Sequence, residues 1–163
     1  MTNLTIRPAI EADHDAIWAI LEPVIREGAT YPLDPALGRK GAFEYWFAPD
    51  KSVFVAEEDG AVLGTYYLKP NSTGLADHVA NAGFMTHEAA RGRGIAMHMA
   101  RDSFTRAKDQ GFRAMQFNLV IASNVQALHL WQKIGLQVIG RLPEAFRHKR
   151  LGYVDAFIMY RML

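Results

Sequence analysis

The chain has 163 residues, 50% of them apolar and 21% charged, the make-up of one globular domain large enough to bury a core. A formal net charge of +1 gives no electrostatic case for nucleic acid or an anionic membrane as partner, and no apolar run approaches the ~20 residues of a membrane span. The absence of cysteine excludes disulfides and thiolate chemistry and fits a cytoplasmic enzyme; the amino-terminal MTNLTIRPAIEAD has no apolar signal core, so no export signal is expected.

Thr2 to Arg7 alternates apolar and polar residues and predicts a short first strand, ended by Pro8. Acids at Glu11, Asp13 and Asp15 suit a helix opening. Ile17, Ile20, Leu21, Val24 and Ile25 then form an amphipathic stripe, which Pro23 is expected to kink or divide. A loop from Gly28 to Pro35, held extended by its prolines, separates this from a weaker second helix, Ala36 to Phe47. Such loops often border a substrate pocket. Val53 to Ala56 and Val62 to Lys69 are apolar runs joined through Asp59-Gly60, a hairpin signal. Lys69 to Asp77 reads as a loop and His78 to Met85 as a third strand of an antiparallel meander. Gly92 to Asp109 carries Ile95, Met99, Phe104 and Ala107 at roughly helical spacing and is closed by Gly111. Ala114 to Ile121 reads as a buried strand. Asn124 caps a helix containing Val125, Leu128, Leu130 and Trp131, and Gly135 ends it. Leu136 to Leu142 returns as a strand, Phe146 to Arg150 is a basic loop, and Tyr153 to Met162 is the last strand. This order predicts a mixed α/β or α+β sheet, not a doubly wound dinucleotide fold.

The stretch from Ala82 to Ala100 runs from strand through a tight glycine loop into a helix. Glycines let the backbone bend and a ligand approach closely, and the free N–H groups of a helix's first turn attract phosphate. Arg91 and Arg93 add two positive charges, so the segment is a candidate pyrophosphate site. It is not a P-loop, since no Gly-Lys-Ser/Thr follows, nor is it GxGxxG. A plain strand-to-helix turn fits the same residues.

Placed after the meander, Arg91-Gly92-Arg93-Gly94-Ile95-Ala96 resembles the acyl-CoA loop of the GNAT family of N-acetyltransferases, Arg/Gln-x-x-Gly-x-Gly/Ala. Asn124, Ala127, Trp131, Gly135 and Leu136 resemble the family's second motif, Asn-x-x-Ala-x-x-x-Tyr-x-x-x-Gly-Phe. The resemblance covers nearly the whole chain and implies the GNAT acyl-CoA N-acyltransferase fold in a single domain, residues 1–163. That fold is a central, mostly antiparallel sheet of about seven strands flanked by about four helices. It further implies acetyl-CoA as co-substrate. Backbone groups of Phe84, Met85 and Thr86 would meet the pantetheine arm, amides from Arg91 to Ala96 (Gly92, Arg93, Gly94 and Ile95 between them) would hold the pyrophosphate, and Asn124 would bond the pantetheine. Two positions depart from the family. Trp131 replaces the tyrosine that many relatives use as general acid, and an indole is no proton source near neutral pH. Trp131 fits core packing as well as a place beside the cofactor, and Tyr153 is a substitute acid. The strand His78 to Met85 lacks the carboxylate that many relatives use as base and carries Asn81 instead.

Alternation puts Val79, Asn81 and Gly83 on one face of their strand, and Gln116 and Asn118 opposite Met115, Phe117 and Leu119 on theirs. An asparagine in a buried strand must find partners, so each is either a structural group holding a bulge or strand splay or a substrate group. The segments GTYYLKPN, NAGFMT, FNLV and the Asn124 turn resemble the azetidine-2-carboxylate (proline-analogue) branch of the family. That resemblance implies that Asn81 and Asn118 handle the substrate's carboxylate and amine, that Asn124 assists Asn118 in catalysis, and that the role is detoxifying. An amide orients an amine but scarcely takes its proton. The proton would leave through water or a distant acid such as Glu57 or Asp77, while a backbone N–H near Met85 polarises the thioester carbonyl. Rival acceptors are phosphinothricin-like amino acids, polyamines, aminoglycosides and protein N-termini; the rival from another class is a non-catalytic acetyl-CoA-binding module. The 6 histidines show no metal spacing, so no metal is expected. The basic Arg147 to Arg150 is either a solvated loop or a contact for the CoA 3′-phosphate, and Tyr31, Trp46 and Phe47 either core or acceptor pocket. Many relatives dimerise, which makes a homodimer an expectation by analogy.

Overall fold

Strand β1 (Leu4–Pro8) opens the computed structural model, which describes residues 3–163; Thr2, the expected start of that strand, lies outside them. Helices α1 (His14–Glu27) and α2 (Arg39–Trp46) follow, then strands β2 (Ser52–Glu58), β3 (Ala61–Pro70) and β4 (Val79–Thr86). Helix α3 (Ile95–Asp109), strand β5 (Ala114–Ile121), helix α4 (Val125–Lys133) and the hairpin β6 (Gln137–His148) and β7 (Gly152–Met162) complete the order. The strands form one seven-stranded sheet, β1-β2-β3-β4-β5-β7-β6. Among the described residues its only parallel pair is β4 with β5, which makes it the mixed, mostly antiparallel sheet that the sequence implied.

Local chemistry explains most of these elements. Asp59 and Gly60 both take positive φ, 50° and 83°, the two-residue turn whose twist matches a right-handed hairpin. In α1, the stripe residues Ile17, Ile20, Leu21 and Ile25 are buried and Gly28 closes the helix in the left-handed region. Pro23 does not divide it. Pro23 and Ala19, one turn earlier, are both exposed, so the carbonyl deprived of a donor faces water. Helix α2 begins three residues later than expected. The Asp34 carboxylate accepts the Ala36 N–H and the Asp34 carbonyl the Leu37 N–H, holding that stretch as a turn. The expected basic loop from Phe146 is instead the end of β6: Phe146, Arg147 and His148 pair with Val154, Tyr153 and Gly152. The buried His148 closes the turn by accepting the Arg150 and Leu151 N–H groups at Nδ1, both at 3.1 Å.

The sheet separates two packed layers. On one face α1 and α2 cover Val55, Tyr67 and Met85; on the other α3 and α4 cover Phe54, Tyr66, Phe117 and Met159. Buried polar groups within these layers are paired: Trp46 Nε1 donates to Thr65 Oγ1, which donates to the Phe54 carbonyl. Besides register shifts in β2–β3, β5–β7 and β6–β7, the sheet opens between two neighbouring strands. Strands β4 and β5 are in register only at Val79↔Ala114 and Ala80↔Met115 and then part.

Candidate active site

The parting is held open by a side chain. Asn81 Nδ2 donates to the Gln116 carbonyl at 2.9 Å, supplying that carbonyl with a donor one residue beyond the last β4–β5 pair. Past this point β4 keeps only its β3 neighbour. The Asn71 N–H donates to the Val79 carbonyl and the His87 N–H to the Leu63 carbonyl. The alternation of an antiparallel ladder therefore turns the peptide groups of Ala82, Phe84 and Thr86 toward the open edge. The Phe84 carbonyl already has a partner there, the Tyr31 hydroxyl at 3.0 Å. A cleft of about 810 Å³ runs through this parting.

On the α3/α4 side the cleft is bounded by backbone. Gly92 and Gly94 take φ of 77° and 79°, and a side chain at either would meet open space, so the loop needs glycine for conformation, not for room. Among the described residues, the amides of Gly92, Gly94, Ile95, Ala96 and Met97 donate to no other backbone group, whereas those of Arg91 and Arg93 reach Glu88 and Ala90 carbonyls at 3.4 Å. The free amides form a nest at the positive end of the fifteen-residue α3. Arg91 lines the cleft with Glu27 at a loose 3.7 Å. Arg93 does not line it; its guanidinium pairs with Glu58 of β2. Asn124 caps α4 by accepting the Ala127 N–H at 3.4 Å, which leaves its amide hydrogens available. Trp131 is buried against Phe84 and Phe117, ring centres 5.2 and 5.1 Å away, while also lining the cleft.

On the α1/α2 side the cleft is bounded by side chains. Asn118 is exposed, accepts from Gln116 Nε2 at 2.9 Å and donates to Asn71 Oδ1 at 2.6 Å. Asn71, Asn81, Gln116 and Asn118 thus form one amide cluster beside the open edge, in which Asn81 and Asn118 line the cleft. Opposite stand Tyr31, Tyr45 and Tyr67, the last two with hydroxyls 3.3 Å apart. Burial pushes the Tyr31 and Tyr67 hydroxyls above the usual phenol range, so they act as neutral donors and acceptors. The Tyr67 ring lies where a Cβ on Gly83 would fall, at 2.6 Å. Lys51 lies over the Tyr45 and Tyr67 rings at 3.5 and 4.2 Å and donates to the Tyr45 carbonyl at 2.6 Å.

Several residues fall elsewhere than the sequence suggested. Glu57 is held by Arg7, and neither it nor Asp77 lines the cleft. Tyr153 is exposed on β7, away from the cleft. Lys149 of the basic stretch bonds back to Gly28 and Arg26 carbonyls, seating the β6–β7 turn against the end of α1. Sequence reasoning missed Glu27, Lys51 and Asn71. Asn71 closes the GTYYLKPN segment without being singled out there, Glu27 and Lys51 carry no local motif, and each reaches the site through tertiary pairing.

Comparison with known proteins matches this arrangement. The family model for the acetyltransferase (GNAT) family matches residues 16–136. The N-acetyltransferase aca1 of Schizosaccharomyces pombe is 32% identical over 151 residues, covering 82% of this chain and 72% of that protein. A GCN5-related N-acetyltransferase from Kribbella flavida shares the fold with TM-score 0.93 and 41% identity over 98% of each chain. The structure of yncA from Salmonella typhimurium, solved with its cofactor acetyl-CoA, superposes with TM-score 0.84 at 21% identity, covering 98% of this chain and 94% of that one. With the family model spanning most of the chain, the protein belongs to the acetyltransferase (GNAT) family and is an acetyl-CoA-dependent N-acetyltransferase of it.

Proposed function

We propose that the chain acetylates the amine of a small molecule, an amino acid or cyclic imino acid such as azetidine-2-carboxylate, in a detoxifying role in the cytoplasm, with residues 1–163 acting as one domain. The parting of β4 from β5 carries this reading. It joins a backbone-lined cofactor side to a side-chain-lined acceptor side by one continuous cleft, so a thioester and an amine can meet at the open strand edge.

Bound acetyl-CoA supplies the activated thioester; the protein's part is positioning. The outward peptide groups of Ala82, Phe84 and Thr86 offer the pantetheine amides the pairing an added strand would have. The nest from Gly92 to Met97 takes the diphosphate, with Arg91 adding charge at its rim, and Asn124 offers its amide hydrogens to the pantetheine. Because Tyr31 already satisfies the Phe84 carbonyl, the Phe84 N–H is the free group for the thioester oxygen, where it stabilises developing negative charge. Asn118, oriented by Gln116 and Asn71, directs the amine lone pair, and Asn81 combines that service with holding the strands apart. The new N–C bond forms as the C–S bond breaks, CoA leaves as thiolate, and the amine proton passes to water in the cleft. No metal takes part in this scheme.

The test is release of free CoA thiol from acetyl-CoA across an amine panel that includes azetidine-2-carboxylate. Amine-dependent release above the hydrolysis background is expected. Binding of acetyl-CoA without release for any amine would instead identify a non-catalytic acetyl-CoA-binding module.

A further inference from the structure

The two ends of the cleft differ in charge. Its single carboxylate among the described residues is Glu27, and that faces Arg91 at the glycine loop. The acceptor end carries two lysines. Lys69 has a partner, Asp50 at 3.0 Å. Lys51 has no carboxylate partner among the described residues; its ammonium is held by two tyrosine ring faces and the Tyr45 carbonyl. Such a group is half-buried, so it has lost part of its hydration without gaining a counter-charge.

From this arrangement we infer that Lys51 selects the acceptor, receiving a carboxylate carried by the amine to be acetylated and turning away polycationic amines. The inference rests on the acetyl-transfer reading above and narrows it. One ammonium hydrogen is engaged by Tyr45, which leaves two to donate. The Tyr31, Tyr45 and Tyr67 hydroxyls and the Asn81 and Asn118 amides line the same end, so a carboxylate there meets donors, and the nearby Asp50 is already paired with Lys69. An amine bearing several positive charges meets Lys51 with no carboxylate in the cleft wall at that end to offset the repulsion. Lys51 is surrounded by Lys69, Asp50, Tyr45 and Tyr67. Burial and the Lys69 charge lower its pKa to about 8, with Asp50 opposing, so the ammonium persists at neutral pH and is lost above about pH 8.

The test compares each amino acid with the amine left when its carboxyl group is removed: proline with pyrrolidine, and azetidine-2-carboxylate with azetidine. The wild type is expected to favour the carboxylate member by about ten- to hundredfold in kcat/KM, the range of a hydrogen bond to a charged group. Lys51→Met should abolish that preference by raising the acceptor KM while the acetyl-CoA KM stays within about twofold, and Lys51→Arg should retain it. The wild-type acceptor KM should rise above about pH 8 for the carboxylate members only. Equal turnover of both members by the wild type, or a preference that survives in Lys51→Met, overturns the role of Lys51 and leaves acetyl transfer standing. Thiol release that no amine raises above the hydrolysis background overturns both.

Discussion

The two sides of the cleft are built from different material. The cofactor side is chiefly backbone: free amides of a glycine loop, the first turn of α3, and the outward peptide groups of β4, with the Arg91, Asn124 and Trp131 side chains beside them. The acceptor side is side chains: the cluster of Asn71, Asn81, Gln116 and Asn118, three tyrosines and two lysines. A diphosphate and a pantetheine are the same for every acyl-CoA enzyme, so a fixed backbone geometry suffices to hold them. An acceptor differs between enzymes, and side chains can change without disturbing the strands that carry them. One side therefore depends on φ and ψ, the other on residue identity.

Substitutions should separate the two dependences. The largest effect is expected from Gly94→Val. Open space surrounds the position, so the damage is conformational: a β-branched residue at φ of 79° carries about 1–3 kcal/mol of strain. Relaxing it would disperse the amide nest, so acetyl-CoA affinity should fall about ten- to hundredfold by calorimetry, with acceptor preference retained. Loss of acceptor preference with unchanged acetyl-CoA affinity would show the division to be drawn wrongly. Tyr31→Phe should come next. It leaves the Phe84 carbonyl without its donor, an unpaired group worth about 1–3 kcal/mol, and the expected result is about a tenfold fall in kcat/KM with a Tm lowered by a few degrees. Unchanged rate and Tm would mean that the loop carrying Tyr31 is not tied to the strand edge. Arg91→Ala should do least. Its guanidinium is exposed and only loosely opposed by Glu27, so a few-fold rise in acetyl-CoA KM, shrinking as salt is added, is expected from initial rates.

The same division explains what could be read from the sequence. Features fixed within a few residues were legible: the Asp59-Gly60 turn, the Asn124 cap, and the loop from Arg91 to Ala96. Pairings across long stretches of chain were not. Tyr31 reaches Phe84 across 53 residues and Asn118 reaches Asn71 across 47, and no spacing rule announces either. Lys51 carries no local signal; α2 and β3 bring two tyrosine rings beneath it. The reading of Phe146 to Arg150 as a loop failed because its charges hid a strand in which Phe146 and His148 alternate inward. At Pro23, of the kink or division expected, division does not occur: the helix runs on through it, with the carbonyl that lost its donor on the exposed side. For Asn81 both readings offered by the sequence are in play, since one amide holds the splay and borders the cleft.

The central claim is that acetyl-CoA is held by backbone and the acceptor by side chains. Asn118→Ala tests it most directly, with acetyl-CoA affinity and acceptor kcat/KM measured on the same preparation. The account predicts acetyl-CoA binding within about twofold of wild type and acceptor kcat/KM lowered by at least about tenfold, the loss of one orienting group. Wild-type kinetics in this variant, or a matching loss of acetyl-CoA affinity, would contradict it.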